Sequence, residues 1–489
     1  MADRSVPEVR VRSGRLRGTL DHGVPAYLGI PYAAPPFGAD RMRPPRPAAP
    51  WDGVRDATAY GPTVPKSEYP APLRPYLIEP VIAGDDCLNL NVWTPDPGAG
   101  GLPVLVWLHG GGFTSGSGAV GAYRGSAFAR DGVVCVTINY RLQAEGFLHL
   151  PDGTGNLGLL DQIAALEWVR DDIAAFGGDP ARVTVAGQSA GAMSVATLLA
   201  VPRAAGLFRA AITQSGAAWN TLDAPTGAKV AAALAAELGV PLSREAIAAV
   251  PPGRVLAASE AVTQRIQASS DRDGWGRLAL TSLPFAPVVD GDVLPRDPQA
   301  AIADGAGHRV PLLTGTTEEE ARLPLVTSGA LAAIGAAEVR ATSEAHGVAP
   351  RPQPGDSPGD VLARVLTDSF YRIPALRLAE ARAATAPTWM YRFDLRSTAA
   401  GGLLGAAHAV DLAFTFDTLD SPDAALLVGD SASPAVAAVM HTAWVCFVRD
   451  LDPGWPRYLP PTRTTMLFGE HPHTVDDPYG DLLSTWRVT

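Results

Sequence analysis

Cysteine is scarce in this sequence. Cys87, Cys135 and Cys446 are the only three in 489 residues, too few and too scattered for a disulfide framework or a zinc site. Cys135 lies in a strand-like run and Cys446 in a helix-like one, so both read as core filler. Charge is also thin, at 18% of residues, and 39 Lys and Arg against 50 Asp and Glu leave a net charge of -11. That balance argues against non-specific nucleic-acid binding and provides no basic patch for anionic lipid. No apolar run approaches membrane-spanning length. The opening residues Met1 to Pro7 lack the apolar stretch of a signal peptide, so a cytoplasmic location is expected. Internal repeats are absent. His471 and His473 form a lone H-x-H, too little for a metal site.

What is present is an apolar fraction of 47%, the balance of a compact soluble protein. Val9 to Arg12 followed by Gly14 to Gly18 alternates and breaks like a hairpin. Residues 31–66, rich in Pro and Gly, predict a long surface loop. From about residue 88 the rhythm becomes strand, helix, strand. Residues 102–108 and 133–140 are near-continuous apolar runs, as strands covered on both faces should be. Leu157 to Phe176 predicts an amphipathic helix with Ile163, Leu166, Val169, Ile173 and Phe176 on one side, stopped by Gly177-Gly178-Asp179-Pro180. Further strands are expected at 210–214, 310–314 and 389–393. This alternation implies an α/β chain with a doubly wound, mostly parallel sheet. Ala-rich helical stretches at 222–270 and 327–386, the second containing a Pro/Gly-rich connector from Val348 to Asp360, read as insertions walling a site within a single domain spanning 1–489.

One stretch organises the rest. Val183-Thr184-Val185-Ala186 reads as a buried strand, Gly187-Gln188-Ser189-Ala190-Gly191 fits G-x-S-x-G, and Ala192 to Leu199 reads as a buried helix. Strand, tight turn, helix is the context in which this pattern marks a nucleophile elbow. The turn is so sharp that a Cβ two residues before or after the serine would strike neighbouring backbone. Ser189 is thereby raised above the sheet, beside the positive end of the helix.

A serine alone is inert, so a base, an orienting acid and an oxyanion site must be found. His109-Gly110-Gly111-Gly112-Phe113 follows a predicted strand upstream of the elbow, where an H-G-G-G oxyanion loop belongs. Gly111, Gly112 and Ala190 would donate N–H, each donor being worth about 2.7–4 kcal/mol in a transition state. His109 itself reads as a structural member of that loop. Chain order places the base after the acid and the acid after the serine, which removes His22, His109 and His149. His308 and His346 have no strand ending at them, and His441 sits in an apolar helix. His408, in the small-residue loop Gly405 to Val410 shortly after the strand at 389–393, is the favoured base. The acid would come from Thr314-Gly315-Thr316-Thr317-Glu318-Glu319-Glu320, and spacing does not choose among the three glutamates.

With these pieces in place the chain resembles the type B carboxylesterases, the cholinesterase-related branch of the α/β-hydrolases. The match runs nearly end to end through Gly84 to Val92, His109 to Phe113, Asn139 to Leu142, Asn156 to Gln162, Phe176 to Pro180, Gln214-Ser215-Gly216 and Pro287 to Gly291. The resemblance is strongest to bacterial cytosolic members. It implies an α/β-hydrolase fold with antiparallel N-terminal strands, a Ser189–Glu320–His408 triad, and structural ion pairs of Arg41 with Asp85 and Arg141 with Asp161. Hydrolysis of a small-molecule carboxylic ester through an acyl-enzyme is implied, with no metal or organic cofactor and with a monomer favoured. By family position Gln188, Trp219, Leu283 and Phe285 would contact substrate. Alternatives are a carbamate, lactone or amide hydrolase on the same apparatus, or a non-catalytic binding module of this fold. The chain departs from the family pattern at Gln188 (usually Glu), Ala321 and Gln143 (both usually Gly). The family's first disulfide would pair Cys87 with the position held here by Val64, so Cys87 is expected to be a free thiol.

Overall fold

A computed structural model describes residues 6–269, 272–480 and 482–485. Strands β1 (Glu8–Val11) and β2 (Gly14–Arg17) form the expected antiparallel hairpin. Next come β3 (Thr19–Asp21), β4 (Val24–Pro31) and β5 (Val54–Asp56), the last pairing with β2. The chain continues through β6 (Asn89–Trp93), β7 (Leu102–Leu108), β8 (Val134–Ile138), β9 (Gly178–Gln188) and β10 (Ala210–Gln214). A short pair, β11 (Leu222–Asp223) and β12 (Val288–Val289), stands apart. Strands β13 (Leu312–Thr317), β14 (Thr388–Phe393), β15 (Thr465–Phe468) and β16 (His473–Val475) complete the set.

The main sheet has 11 strands in the order β16-β15-β14-β13-β10-β9-β7-β8-β6-β4-β3. From β8 to β15 every neighbouring pair is parallel, while β3, β4 and β6 on one side and β16 on the other run antiparallel. This is the doubly wound α/β-hydrolase architecture expected, antiparallel N-terminal strands included. Strands β8 and β10 are buried at every position, which is why their sequences are continuous apolar runs instead of alternating ones.

Several local expectations need correction. Residues 31–66 are no mere surface loop: they contain β5, and Tyr32, Ala33, Arg41, Met42, Ala57 and Val64 are buried. The helix Leu157–Asp172, extended by a 3-10 turn Ile173–Phe176, buries the five apolar residues expected of it. It is not one-sided, however, because Leu159, Gln162, Ala165 and Trp168 are buried too; packing on more than one side removes the need for a polar face. Strands β15 and β16 are not among the strands expected, and β16 takes in His473 of the lone H-x-H. Helices occupy both inserted stretches, Ala224–Leu238 and Pro252–Ala268 in the first, Ala336–His346, Pro358–Thr367 and Ile373–Ala383 in the second. The Pro/Gly connector ends where Ser357 and Asp360 form a capping box for the helix at Pro358.

Arg141 and Asp161 make the implied ion pair, bidentate at 2.7 and 2.8 Å and buried. Arg41 does not pair with Asp85, which is exposed. Its guanidinium instead meets Glu145 at 2.5 Å and donates to the Ala248 and Val250 carbonyls, which satisfies a charge buried under the first inserted helices. All three thiols are free, as expected of Cys87; Cys135 is buried as expected of core filler, whereas Cys446, also expected in the core, is only half-buried. No helix among the described residues is long and apolar enough to cross a membrane.

A polar knot ties β10 and β14 to the helix Pro434–Asp450. Trp444 donates to Gln214 Oε1 at 2.9 Å, and Gln214 Nε2 donates to Asp411 Oδ2 and Thr415 Oγ1, each at 3.0 Å. Tyr391 adds its hydroxyl to Asp411 at 3.2 Å. Asp411 is fully buried, and among the described residues its other oxygen has no hydrogen-bond partner. Burial, reinforced by the nearby Glu320 carboxylate, pushes its carboxyl up to about 6. A group whose folded value is raised binds its proton more tightly when folded, so its contribution is complete below about pH 4 and lost as pH rises toward 6. Asp411→Asn keeps an acceptor and removes the charge. It should therefore stabilise the fold at pH 8, by up to about 3 kcal/mol, with no gain near pH 4. Thermal denaturation at the two pH values measures this, and an equal loss of stability at both would show that the charge costs the fold nothing.

Candidate active site

The carboxyl ends of the central strands supply the site. At the end of β9, Ser189 takes φ 55° and ψ -126°, outside the regions comfortable for a residue with a Cβ, and the helix Ala190–Leu198 starts at once. The flanking glycines are required by contact. A Cβ on Gly187 would stand 2.5 Å from the Gly191 carbonyl carbon, and one on Gly191 would stand 2.0 Å from the Leu108 carbonyl oxygen. The serine is held from the other side by its N–H, which donates to the Gln214 carbonyl at 2.9 Å. Ser189 remains part-exposed in a neighbourhood that is otherwise buried.

The loop after β7 lies directly against this turn. A Cβ on Gly110 would come within 2.9 Å of the Gln188 carbonyl oxygen and 3.1 Å of Ser189 Cβ. Gly111 and Gly112 follow with φ of 108° and 62°. Among the described residues, no hydrogen bond uses the N–H of Gly111, Gly112 or Ala190. His109 is buried, stacked on Tyr140 at 4.3 Å, with Nδ1 2.8 Å from the Gly110 carbonyl. Burial lowers it to about 3, so it stays neutral and structural, as the sequence suggests.

After β13 the chain turns so that the three adjacent glutamates face different partners. Glu318 pairs with Arg372 and Arg392, and Glu319 with Arg396 and Arg322. Glu320 is fully buried; one oxygen accepts from the Thr317 N–H at 2.8 Å, and the other lies 2.6 Å from His408 Nδ1. The same two residues also meet through the backbone, His408 N–H donating to the Glu320 carbonyl at 3.3 Å. Ala321 has an ordinary right-handed φ of -74°, so the family's glycine is not needed there. Tyr371 packs its ring on the imidazole at 4.9 Å.

His408 Nε2 faces the side-chain amide of Gln188 at 2.9 Å. With the Nδ1 proton directed at Glu320, Nε2 carries the lone pair, and the amide donates to it. Gln188 is buried; it therefore touches the candidate base, a contact that sequence reasoning, which read this position only as one facing substrate, did not foresee. Of the other residues expected near substrate, Leu283 borders a cavity beside Gly112, a Cβ on which would sit 3.6 Å from Leu283 Cδ2. Trp219 lines a second cavity with Phe370 and lies beneath Arg277 at 3.9 Å. Phe285 is fully buried in the main core. Among the described residues, no group of three or more His, Cys, Asp or Glu side chains is placed to hold a metal ion.

Comparison with known proteins follows the same lines. The model of the carboxylesterase family matches residues 5–345. Para-nitrobenzyl esterase of Bacillus subtilis (strain 168) is 37% identical over 96% of this chain and 96% of its own length. Phenmedipham hydrolase of Pseudarthrobacter oxydans is 36% identical over 95% of each. Among solved structures, the carboxylesterase EST55 of Geobacillus stearothermophilus superposes with a TM-score of 0.85 at 36% identity, covering 98% of this chain and 100% of that one. The chain thus belongs to the carboxylesterase family, on its cholinesterase-related type B branch, and is a serine esterase that hydrolyses carboxylic esters.

Proposed function

We propose that Ser189, His408 and Glu320 carry this hydrolysis and that Gly111, Gly112 and Ala190 bind the oxyanion. The observation that supports the reading most is the 2.6 Å approach of His408 Nδ1 to a fully buried Glu320, beside a serine at a strained strand-to-helix turn. Glu320 holds the imidazole in the tautomer that leaves Nε2 free to accept. His408 takes the Ser189 proton as Oγ adds to the ester carbonyl. The three N–H groups receive the negative charge that develops on oxygen. Collapse of the tetrahedral adduct expels the alcohol, protonated by His408, and leaves an acyl-enzyme; water, deprotonated by His408, then attacks as Ser189 did, and Ser189 leaves as the alcohol did. Glu320 stays ionised throughout, and no metal or organic cofactor takes part.

In the resting arrangement the Gln188 amide donates where the Ser189 hydroxyl must donate during attack. Substrate binding therefore has to draw Nε2 from the Gln188 amide to the Ser189 hydroxyl.

For substrate class, the reading is a broad preference for small esters with short-to-medium or aromatic acyl groups, since an apolar pocket separates acyl chains by only about 1–3 kcal/mol per methylene. Leu283, on the cavity beside Gly112, would line the acyl pocket and Trp219 the second cavity, and the relative named para-nitrobenzyl esterase supports an aromatic group on one side of the ester. Carbamates, lactones and amides are the competing substrates for the same apparatus. The enzyme is proposed to act as a cytoplasmic monomer, its net charge of -11 offering nothing to nucleic acid or anionic lipid.

Ser189→Ala should reduce turnover of a chromogenic short-chain ester by about 10⁴-fold or more and abolish labelling by a fluorophosphonate; retained labelling would assign the nucleophile elsewhere. Gln188→Glu places a carboxylate beside the reacting centre. It should raise kcat/KM for a cationic ester relative to its neutral isostere by about three- to tenfold. A ratio equal to the wild type's would remove Gln188 from the control of substrate charge.

A further inference from the structure

The surface segment from Thr63 to Ile82 has almost no regular structure, yet it is tied down at its feet and again just inside them. Thr63 N–H donates to the Ile82 carbonyl at 2.9 Å, and Ile82 N–H donates to Thr63 Oγ1 at 3.1 Å. One step inward, the Lys66 ammonium meets the Glu79 carboxylate and donates to the Pro80 carbonyl at 2.8 Å. The two side chains are 3% and 9% exposed, so this is a buried pair and not a solvated surface bridge. Burial pulls Lys66 down and pushes Glu79 up, and each partner opposes that shift in the other.

The pair does more than close the loop on itself. Lys66 Nζ also reaches the Gly116 carbonyl at 3.4 Å, and hydrogen bonding from Ser117 and the Gly116 backbone favours the charged Glu79. Ser67 N–H donates to the Thr114 carbonyl at 3.0 Å, and Ser115 Oγ donates back to the Ser67 carbonyl at 2.8 Å. Gln143, buried and at φ 51°, donates its amide to Ser67 Oγ and to the Thr114 carbonyl. Residues 114–117 are thus gripped from outside by 66–67, 79 and 143. On their inner side they press on the oxyanion loop. Thr114 and Ser115 N–H both donate to the Gly111 carbonyl, at 3.0 and 2.9 Å. A Cβ on Gly116 would stand 2.2 Å from the Gly110 carbonyl oxygen and 2.3 Å from His109 Nδ1. The packing leaves no slack between the ion pair and the amides of Gly111 and Gly112.

We propose that Lys66 and Glu79 are positioning residues for ester hydrolysis, a buried ionic clasp that sets the Gly111 and Gly112 N–H groups against the developing oxyanion. The inference rests on the assignment of those amides made above. Neither side chain touches the reacting atoms; both act through residues 114–117. Displacing the amides by a fraction of an ångström weakens a contact made fully only in the transition state, so the loss falls on kcat and not on KM.

The test compares wild type with Glu79→Gln and with the double variant Lys66→Met/Glu79→Leu, which removes both charges and leaves none unpaired. Rates with a neutral short-chain p-nitrophenyl ester are normalised to sites titrated by a fluorophosphonate. Affinity for a trifluoromethyl ketone reads the oxyanion contact directly. The expected result is a fall in kcat per titrated site of about ten- to hundredfold with KM within about threefold of wild type, matched by the loss of ketone affinity. If Glu79→Gln does not fold, the double variant carries the comparison alone. A folded double variant with wild-type kcat and ketone affinity overturns the clasp while leaving the oxyanion assignment intact. A wild-type enzyme that binds the ketone no more tightly than its substrate overturns the oxyanion assignment, and the clasp with it.

Discussion

The contact between the Leu108 carbonyl and the backbone of Gly191 is the constraint on which the site depends. Strands β7 and β9 are parallel neighbours in a register that sets Leu108 beside Gly187. Because the chain reverses into a helix immediately after Gln188, Gly191 is returned onto the same carbonyl, with no room for even one carbon between them. That crowding raises Ser189 above the sheet, and it also fixes where the loop after β7 leaves the sheet, since Gly110 abuts the serine. A nucleophile and its oxyanion donors are thus placed by one packing event instead of two. Registers on the other side extend the arrangement: Gln188 beside Gln214, Gln214 beside Gly315, and Thr317 beside Phe393. Four successive strand ends therefore deliver their loops to one crevice, as open parallel sheets do.

Electrostatics then sorts groups that covalent chemistry leaves alike. Glu318, Glu319 and Glu320 are consecutive, but arginines from the second inserted helical region and from β14 and its following loop engage the first two. Glu320 turns inward, where among the described residues His408 is its one ion-pair partner. It is consequently the glutamate free to respond to a change of charge on the imidazole. Asp411, three residues on in the chain from that imidazole, is a second buried carboxyl, raised by burial and then by the Glu320 charge. The strain is kept local by the Gln214–Tyr391–Trp444 knot, which gives Asp411 neutral donors in place of a counter-charge.

How much of this was legible depended on whether the signal was local. Strands β7 to β10 read directly from apolar runs, because strands buried on both faces cannot hide their composition. The elbow and the oxyanion loop were legible for a different reason: glycine is demanded wherever two backbones touch, so Gly187, Gly191 and Gly111 leave a mark in the sequence. Strands β15 and β16 escaped because they are short and edge-ward, with β16 mostly exposed. The one-sided helix expected over 157–176 failed because a segment enclosed on several sides needs no polar stripe. Arg41 found Glu145 and not Asp85 for a related reason. Which carboxylate meets a buried guanidinium is decided by distant packing, here 104 residues away, and no spacing rule carries that information.

The departures from the family pattern tell the remaining part of the story, because they are not scattered. Ala321 sits in an ordinary conformation and demands nothing. Gln143, by contrast, holds a left-handed backbone that glycine would occupy without strain, and its side chain spans to Ser67 and Thr114. Cys87 is free, and it and Val64 are both buried in the main core; closure of the intervening loop falls to Thr63, Ile82, Lys66 and Glu79 instead. A cross-link would anchor the loop to itself alone. The ion pair with its backbone bonds anchors it to residues 114–117 as well. Two sequence differences that look unrelated in the chain therefore converge on one wall of the site, the wall that holds the oxyanion loop in place. Gln188 is a third difference, an uncharged amide that meets the imidazole. Variation in this enzyme thus lies in what braces and faces the reacting groups, Gln188 within the turn included, while Gly187 and Gly191 leave no room for a side chain.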